Sequence, residues 1–269
     1  MPTPRTLLLT GAAGGLGTLM RSLLPEYGYT LRLFDVRPVE GEPDAITADL
    51  SDKEALREAV RGVDAVLHLA GISLEAPFEK ILRSNIEGTY NLYEAAREAG
   101  VPRIVFASSN HAVGYTPAPR AGDPLIPVGT PHRPDTFYGL SKSFGEDLAQ
   151  LYWDRHGLET VSVRIGSCFG EPADVRMLSV WMSPADGARL FHAALTAEEV
   201  GHTVVYGSSA NTRLWWDLTS ARALGYDPQD DSEQYAGKLI AEHGELDPEN
   251  PAHTHLGGRF VNDPPIWPY

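Results

Sequence analysis

One tyrosine of this chain has a lysine four residues after it, and such a pair can take up a proton. The pair is Tyr138 and Lys142, and none of the other tyrosines has such a partner. At positions i and i+4 of a helix, the two side chains lie on one face. An ammonium group beside a phenol favours the phenolate and lowers its pKa, which is about 10 when unperturbed. We therefore expect Tyr138 to act as a general base near neutral pH; the alternative is an aromatic helix residue beside a surface lysine.

A polar run ends the segment "RIVFASSNH", residues 103–111. If the apolar part is a central strand, the polar residues lie at its carboxyl end, where the reacting groups of doubly wound folds collect. A serine hydroxyl there can orient a substrate oxygen toward Tyr138. The serines can equally cap a turn, and the histidine can equally be a loop residue with its own hydrogen bonds. The candidates are Ser108, Ser109, Asn110 and His111.

The stretch "TGAAGGLG", residues 10–17, is typical of a phosphate-binding loop. It follows the apolar run "RTLLLT" and opens an amphipathic helix, and this context makes a glycine motif specific. The N–H groups and positive dipole end of such a helix suit a pyrophosphate, which the glycines let the backbone approach. The glycines fit two spacings, through either of the two middle glycines, and both stay open. We expect a dinucleotide on Gly11, Gly14, Gly15, Leu16 and Gly17.

An acidic residue follows this loop at the distance that suits a ribose. Asp35 ends the second apolar run, 18 residues after Gly17. Its carboxylate can accept both ribose hydroxyls and would repel the additional phosphate of NADP, which favours NAD. Arg37 complicates this prediction, because an arginine nearby can accommodate that phosphate. Candidate adenine and ribose walls, each of which can equally be an ordinary strand-end turn, are Asp49, Leu50, Ala70 and Gly71.

Apolar strands and amphipathic helices alternate along the first half of the chain. The strand candidates are "RTLLLT", "LRLFD", "AITADL", "DAVLHLAG", "RIVFASS" and "ETVSVRIGS", and two long helices are expected over about 78–99 and 138–156. Parallel neighbours need helical crossovers, so this progression predicts an α/β fold with a doubly wound, Rossmann-like parallel sheet. We expect one domain over residues 1–269, with a dinucleotide-binding core over about 1–167. Residues 168–269, which include the strand candidate "HTVVYG", are expected mainly to cap the substrate site.

Composition limits the partners. The net charge of −14 disfavours binding to nucleic acid or to anionic lipid, so a small molecule is the expected ligand. No apolar run has the length of a membrane span. Cys168 is the only cysteine, so no internal disulfide forms, and we expect a cytoplasmic protein.

These motifs, in this order, resemble the extended short-chain dehydrogenase/reductase family. The resemblance rests on the glycine loop, Asp35, "HLAG", "NIEGTYNLYEAA", "FASS" and the Tyr138–Lys142 spacing. It implies that Tyr138 is the general base and that Lys142 binds the nicotinamide ribose. It also implies that Ser109 positions the reacting hydroxyl, that Asn85 takes part in a proton relay, and that the long helices form a homo-oligomer contact.

Further segments are similar to uronate dehydrogenases, which oxidise C1 of galacturonate or glucuronate with NAD. They are "LAGIS", "FASSNHAVGY", "FYGLSKSFGE", "VRIGSC" and "RMLSVWMSP". The resemblance implies oxidation of the cyclic sugar to an aldarolactone. The substrate would be held by Ser73, Ser109, Asn110, His111, Tyr138, Ser167 and Arg176. A planar guanidinium suits a uronate carboxylate, although taken alone Arg176 can be a surface residue.

Two other function classes stay open. One is an NAD-dependent nucleotide-sugar epimerase or dehydratase, although many such epimerases have Tyr-Gly where Val113 and Gly114 stand here. The other is a non-catalytic NAD-binding regulatory protein. "GSCFG" lacks the helix that a cysteine nucleophile elbow requires, and "HTH" at 253–255 lacks a third metal ligand, so no metal is expected. The pair at 215–216, "WW", and the terminal "PPIWPY" are interpreted as packing or as site-lining aromatic residues.

Overall fold

The structure is a computed structural model that describes residues 5–262, and a seven-stranded sheet lies at its centre. The seven strands are all parallel and have the order β3-β2-β1-β4-β5-β6-β9, while β7 and β8 form a separate pair. The strands are β1 (Thr6–Thr10), β2 (Thr30–Asp35), β3 (Ile46–Thr47), β4 (Ala65–His68), β5 (Arg103–Ser109), β6 (Glu159–Ile165), β7 (Ser167–Cys168), β8 (Trp181–Met182) and β9 (His202–Gly207).

Helices cover both faces of this sheet because its strands are apolar on both sides. Leu7 and Leu9 of β1 face a core built with the first and seventh helices, whereas Leu8 faces one built with the second, fourth and fifth. The helices are α1 (Gly15–Leu23), α2 (Lys53–Val60), α3 (Phe78–Ile81), α4 (Gly88–Glu98), α5 (Phe137–His156), α6 (Met177–Val180), α7 (Pro184–Thr196), α8 (Thr219–Ala223), α9 (Ala236–His243) and α10 (Pro251–Thr254). Short 3₁₀ turns cover Leu24–Tyr27, Asn110–Val113, Ser232–Tyr235 and Gly258–Val261.

The strand order confirms the expected doubly wound α/β class. Strand β1 pairs with β2 on one side and β4 on the other, so the chain reverses its direction of winding there. A crevice opens beyond the carboxyl ends of strands at such a reversal, and ligands bind in it. No helix within residues 5–262 is long and apolar enough to cross a membrane.

Helix α5 packs close to the sheet. Its N-terminus is capped by Thr136, whose hydroxyl accepts the N–H of Gly139 at 3.0 Å, and it ends at Gly157 in the left-handed conformation. A side chain at Gly145 would overlap the ring of Phe106 on β5. Because only a glycine allows this approach, the face of α5 that carries Lys142 lies directly against the end of β5.

A buried polar cluster fixes α5 against two strands. Glu146 of α5 accepts hydrogen bonds from Ser108 Oγ of β5 (2.5 Å) and Arg164 Nη2 of β6 (2.8 Å). Its second oxygen also lies 2.8 Å from His132 Nε2, in the loop before the helix. The Glu146 and Arg164 side chains are only 2% and 3% exposed, so the pair is a buried ion pair that holds three elements together.

The region after Ser167 departs from the expected division. The segment "HTVVYG" is β9, which pairs with β6 as the edge of the main sheet, and α7 packs on the same sheet. The strand was expected in the capping region, and this was wrong because strand order depends on contacts across the sheet. In addition, "AITADL" forms only the two-residue β3, and the helix expected over 78–99 contains a π-helical segment, Leu82–Glu87.

The remaining C-terminal segments cover the carboxyl end of the sheet. They pack on a satellite core that contains Trp216, which is fully buried and stacks on Tyr206 with ring centroids 5.0 Å apart. Trp216 is therefore a packing residue, while Trp215 lies next to the cleft described below. The terminal "PPIWPY" lies outside the described residues.

Candidate active site

One cleft of about 1140 Å³ runs along the carboxyl ends of the strands. It extends from the glycine loop to the C-terminal cap, and its volume exceeds the range of about 300–1,000 Å³ that is usual for small-molecule pockets. Of the predicted site residues, only Asn85 does not line it. The lining residues are Gly11, Gly14, Gly15, Leu16, Gly17, Asp35, Asp49, Leu50, Ala70, Gly71, Ser73, Ser109, Asn110, His111, Tyr138, Lys142, Ser167 and Arg176.

The glycine loop has the geometry that a pyrophosphate requires. Gly11 has φ +73°, and a Cβ there would lie 2.7 Å from Ala70 N. A Cβ at Gly17 would overlap the carbonyl of Gly11, so both positions exclude a side chain. Gly14 caps α1 without a side chain, which leaves the first N–H groups of the helix for a ligand.

The two middle glycines differ in their surroundings. A Cβ at Gly14 would lie 3.2 Å from the carbonyl of Gly11, whereas one at Gly15 would meet nothing within 4 Å. Both residues line the cleft. The protein's own packing therefore constrains Gly14 slightly, and any requirement for glycine at Gly15 comes from a bound ligand.

Asp35 is held rigidly at the end of β2. Its carboxylate accepts the backbone N–H groups of Ala13 and Arg37, each at 2.9 Å, and its side chain is only 6% exposed. Arg37 donates to the carbonyl of Ala13 at 2.8 Å and lies 3.8 Å from the Asp35 carboxylate. The guanidinium is thus already engaged, and the carboxylate stays in the cleft wall.

The other proposed cofactor walls are also in the cleft. Asp49 accepts the N–H of Ser51 at 2.8 Å, and this backbone hydrogen bond lowers the pKa of its carboxyl group. Leu50 is buried, while Ala70 is held by a hydrogen bond from its N–H to the hydroxyl of Thr10 (3.2 Å). Gly71 has φ +137°, a conformation that favours glycine.

Tyr138 lies in the first turn of α5 and is 7% exposed. Burial raises the pKa of its phenol to about 12, a hydrogen bond with Ser109 lowers it, and the charge of Asp135 raises it further. Lys142 is not among the causes of this shift, so its expected lowering of the tyrosine pKa stays a prediction.

Lys142 is buried one turn later on the same face of α5. Its Nζ donates to the carbonyl of Ala107 at 2.7 Å and lies 5.5 Å from the centroid of the Tyr138 ring. Burial lowers the pKa of Lys142 to about 8. The lysine is therefore fixed between the end of β5 and the tyrosine.

Asn85 lies behind the cleft wall, in the π-helical segment. Its Oδ1 accepts the N–H of Ile72 (2.8 Å), and its Nδ2 donates to the Ile72 carbonyl (2.9 Å) and to Ser141 Oγ (3.0 Å). π-helical turns often occur at functional sites. The amide thus fixes the loop after β4 against α5, while its place in a proton relay stays a prediction.

The end of the cleft next to the C-terminal cap is organised by one backbone carbonyl. Asn110 Nδ2 donates to the carbonyl of Leu256 at 2.5 Å, and Arg176 Nη2 donates to the same oxygen. The guanidinium of Arg176 lies 5.7 Å from the centroid of the Trp215 ring, and burial lowers its pKa to about 10. Two predicted substrate-binding side chains are therefore oriented by the C-terminal cap.

The remaining predicted residues complete this end. Ser73 is exposed in the loop after β4, and Ser167 is buried at the start of β7. His111 lies beside Tyr138, with ring centroids 5.5 Å apart, and its Nδ1 is 2.7 Å from Asp135 Oδ2. Cys168 also lines the cleft, but burial raises the pKa of its thiol to about 12, so it is poorly suited to act as a nucleophile.

Several residues at the site escaped the sequence analysis. Glu75 accepts the N–H of Tyr138 at 3.0 Å, and the Phe260 ring packs on His111 with centroids 4.3 Å apart. Asp135 contacts His111, and the carbonyl of Leu256 accepts hydrogen bonds from Asn110 and Arg176. The one available signal was the acidic residue just before the "TFYGLSK" helix; the other contacts join residues that are far apart in sequence.

Comparison with known proteins places this cleft in a family. The model described as "NAD dependent epimerase/dehydratase family" matches residues 7–216. The chain belongs to this family. Within it, the chain is 49% identical over 264 residues to a uronate dehydrogenase from Pseudomonas syringae pv. tomato, covering 97% of this chain and 94% of that protein.

Solved structures show the same family relationship. A glucuronic acid dehydrogenase from Chromohalobacter salexigens is 46% identical, with a TM-score of 0.90 and coverage of 97% of this chain and 98% of that one. A mutant uronate dehydrogenase from Agrobacterium tumefaciens, complexed with NAD, is 44% identical, with a TM-score of 0.91 and coverage of 98% and 99%. The resemblance to uronate dehydrogenases in the sequence is confirmed.

Proposed function

We propose that the protein is an NAD-dependent oxidoreductase that oxidises the C1 hydroxyl of a hexuronic acid, galacturonate or glucuronate, to the aldarolactone. The observation that carries this proposal is the position of Arg176. Its guanidinium lies in the same cleft as Tyr138, is oriented by Leu256 and stands over Trp215. A planar cation held in this way suits a sugar carboxylate.

The chain's own residues supply the acid–base chemistry. In the proposed reaction Tyr138 takes the proton of the C1 hydroxyl, and Ser109, which hydrogen-bonds the phenol, positions that hydroxyl. Lys142 holds a position beside the ring, where a cation stabilises the phenolate. Asn85 keeps the loop after β4 in register with α5 and is our candidate for a relay that returns the proton to water.

The cleft fits a bound dinucleotide. The uncapped N-terminus of α1 and the glycines that bar side chains would hold the pyrophosphate, and Asp35 would accept the ribose hydroxyls. When bound, NAD⁺ accepts the hydride from C1, and its positive ring favours the phenolate form of the tyrosine. Lys142 would bind the nicotinamide ribose.

The sugar would lie between the nicotinamide end and the C-terminal cap. Arg176 would bind the carboxylate, and the remaining predicted contacts are Ser73, Asn110, His111 and Ser167. Because the lactone is the direct product of C1 oxidation of a ring, it would open afterwards by itself or through a hydrolytic step elsewhere.

The first experiment is to measure NADH formation by the purified protein with NAD⁺ and a panel of sugars. The panel contains galacturonate, glucuronate, the corresponding neutral hexoses and UDP-glucose. NADH with the uronates alone is the expected result. Conversion of UDP-glucose without net NADH would instead support the epimerase class, and NAD binding without any turnover would support the regulatory class.

We also propose a cytoplasmic homo-oligomer. Exposed apolar side chains on α4 and α5, among them Tyr90, Leu140 and Leu151, support a self-association surface on the two long helices. Light scattering of the purified protein tests this, with a mass above 29.3 kDa as the expected result. A monomer at assay concentration would overturn it.

A further inference from the structure

A completely buried carboxylate lies behind the proposed substrate site. Asp135 Oδ2 is 2.7 Å from His111 Nδ1, and the Asp135 side chain has no exposed surface. Thr136 Oγ donates to its other oxygen at 2.9 Å. Among residues 5–262, His111 is the only residue that forms an ion pair with this carboxylate, and the Arg176 guanidinium also interacts with it electrostatically.

Three glycines make the space for this carboxylate. A Cβ at Gly114 or at Gly257 would overlap Asp135 Oδ2, and one at Gly139 would lie 2.9 Å from Oδ1. These glycines belong to three separate parts of the chain: the turn after β5, the first turns of α5 and the C-terminal cap. Each of these three positions has space for the carboxylate only because it lacks a side chain. The local packing is therefore built around Asp135.

The chemistry of the pair fixes the position of one proton. An ionised carboxylate can only accept hydrogen bonds, so the nitrogen that faces it must carry the hydrogen. In a neutral imidazole, the other nitrogen is then an acceptor. With Asp135 ionised and His111 neutral, the contact requires His111 to donate from Nδ1 and leaves the lone pair on Nε2.

The remaining geometry places Nε2 on the cleft side of the ring. His111 lines the cleft and Asp135 does not, so Nδ1 points away from the cleft and Nε2 lies on the opposite edge of the ring. The ring is held between Tyr138 and Phe260, edge to face with both. In the described part of the chain, Nε2 has no recorded hydrogen-bond partner.

We propose that Asp135 is a positioning residue that holds His111 in the Nδ1–H tautomer and so presents Nε2 as an acceptor to a sugar hydroxyl beside the reacting carbon. This rests on the proposed uronate dehydrogenase function. The pair thereby selects sugars that carry that hydroxyl, because a buried acceptor left without a donor weakens binding. Asp135 also fixes the orientation of the His111 ring, which lies against Tyr138.

The direct test is ¹⁵N NMR of histidine-labelled protein at about pH 8.5, two units above the ordinary histidine pKa. His111 is assigned among the nine histidines by loss of its signals in His111→Gln. We expect the Nδ1–H form to dominate in the unmodified protein. A dominant Nε2–H form, or an imidazolium, would overturn the proposal. This NMR measurement requires neither turnover nor a variant of Asp135.

Variants then test the mechanism. Asp135→Ala should give a mixed tautomer population and reduce kcat/KM for uronates roughly 10-fold, mainly through KM, with NAD⁺ affinity unchanged. Asp135→Asn keeps a carbonyl acceptor and should restore part of the Nδ1–H population and part of kcat/KM. The control is Asp52→Ala, which removes a carboxylate that caps α2 outside the cleft and should change neither.

The outcomes separate this inference from the proposed function. The protein could fail to oxidise uronates and still show an Nδ1–H tautomer that Asp135→Ala disturbs. That result would support the positioning role of Asp135 and refute the proposed uronate substrate. A variant Asp135→Ala with unchanged tautomer and unchanged kcat/KM would overturn the positioning role and leave the proposed function intact. If Asp135→Ala does not fold, Asp135→Asn and the unmodified protein still give the tautomer.

Discussion

At the residue scale, the proposed chemistry depends on one oxygen, the phenol oxygen of Tyr138. Tyr138 is buried, and the protein alone raises the pKa of its phenol to about 12. Tyr138→Phe keeps the ring, and with it the contacts to His111 and Lys142, but removes the oxygen proposed to take the proton. We expect kcat to fall about 10²- to 10⁴-fold while NAD⁺ affinity stays the same. Steady-state kinetics together with calorimetric NAD⁺ binding measure the two effects; retained turnover would remove Tyr138 from the role of base.

Arg176 is the second residue on which the proposal depends. Arg176→Ala removes the planar cation, and a hydrogen bond to a charged group contributes about 1.5–3 kcal/mol. We therefore expect KM for uronates to rise at least about 10-fold with a smaller change in kcat. Arg176→Lys keeps the charge but not the planar fork, so its KM should lie between that of the unmodified protein and that of Arg176→Ala. An unchanged KM in both variants would assign the carboxylate to another residue.

Residue-level prediction worked where the signal was local. The i, i+4 spacing of Tyr138 and Lys142 and the strand-loop-helix context of Gly11 and Gly17 depend on nearby sequence, and the structure places all four in one cleft. The burial that raises the pKa of Tyr138 could not be predicted, because burial cannot be read from spacing. Asp135 was missed for the same reason: its role depends on glycines from three distant segments.

At the element scale, the N-terminus of α5 carries the proposed base. Glu75, in the loop after β4, accepts the N–H of Tyr138 at 3.0 Å. Its other carboxylate oxygen is buried and has no partner among the described residues. A carboxylate at this end of a helix is favoured by the helix dipole. The contact therefore couples the loop that carries Ser73 to the turn that carries the proposed base.

Removing this coupling should affect catalysis more than stability. We expect Glu75→Ala to cost about 0.5–2 kcal/mol of unfolding free energy, as loss of a helix cap does, and also to lower kcat. Glu75→Gln keeps an acceptor oxygen and should restore most of kcat. Urea unfolding and steady-state kinetics measure both, with Asp52→Ala as the matched cap variant in α2. Equal loss of stability in both variants, with kcat unchanged in both, would reduce Glu75 to a simple cap.

The existence of the elements was easier to predict than their arrangement. Most strand and helix candidates are present, since hydrophobic periodicity determines them. The place of β9 in the main sheet depends on pairing with β6, and the π-helical segment around Asn85 depends on contacts with Ile72 and Ser141. No local pattern encodes either arrangement.

At the scale of the whole molecule, the buried cluster around Glu146 links stability to pH. Burial by itself would raise the pKa of Glu146, but hydrogen bonds from His132, Arg164 and Ser108 lower it to about 2 from 4.5. The carboxylate therefore contributes stability that is fully present above about pH 4.5 and is lost as the pH falls toward 2. Acid should weaken the contact of α5 with β5 and β6 in this window.

Glu146→Gln tests this contribution. Removing one partner of a buried ion pair leaves Arg164 uncompensated, so we expect a loss of about 3–5 kcal/mol in unfolding free energy at neutral pH. The difference between the variant and the unmodified protein should shrink as the pH falls below 4.5. Urea unfolding at a series of pH values measures it. A constant difference down to pH 2 would show that the charge of Glu146 is not responsible.

The shared carbonyl of Leu256 has a consequence for the order in which the site is completed during synthesis. The last residue proposed to hold the dinucleotide is Lys142. The carbonyl that accepts the hydrogen bond of Asn110 belongs to Leu256, 146 positions after Asn110. At a ribosomal rate of about 5–20 residues per second, Leu256 follows Lys142 by several seconds. Asn110 and Arg176 therefore gain their shared acceptor only when most of the chain has been made.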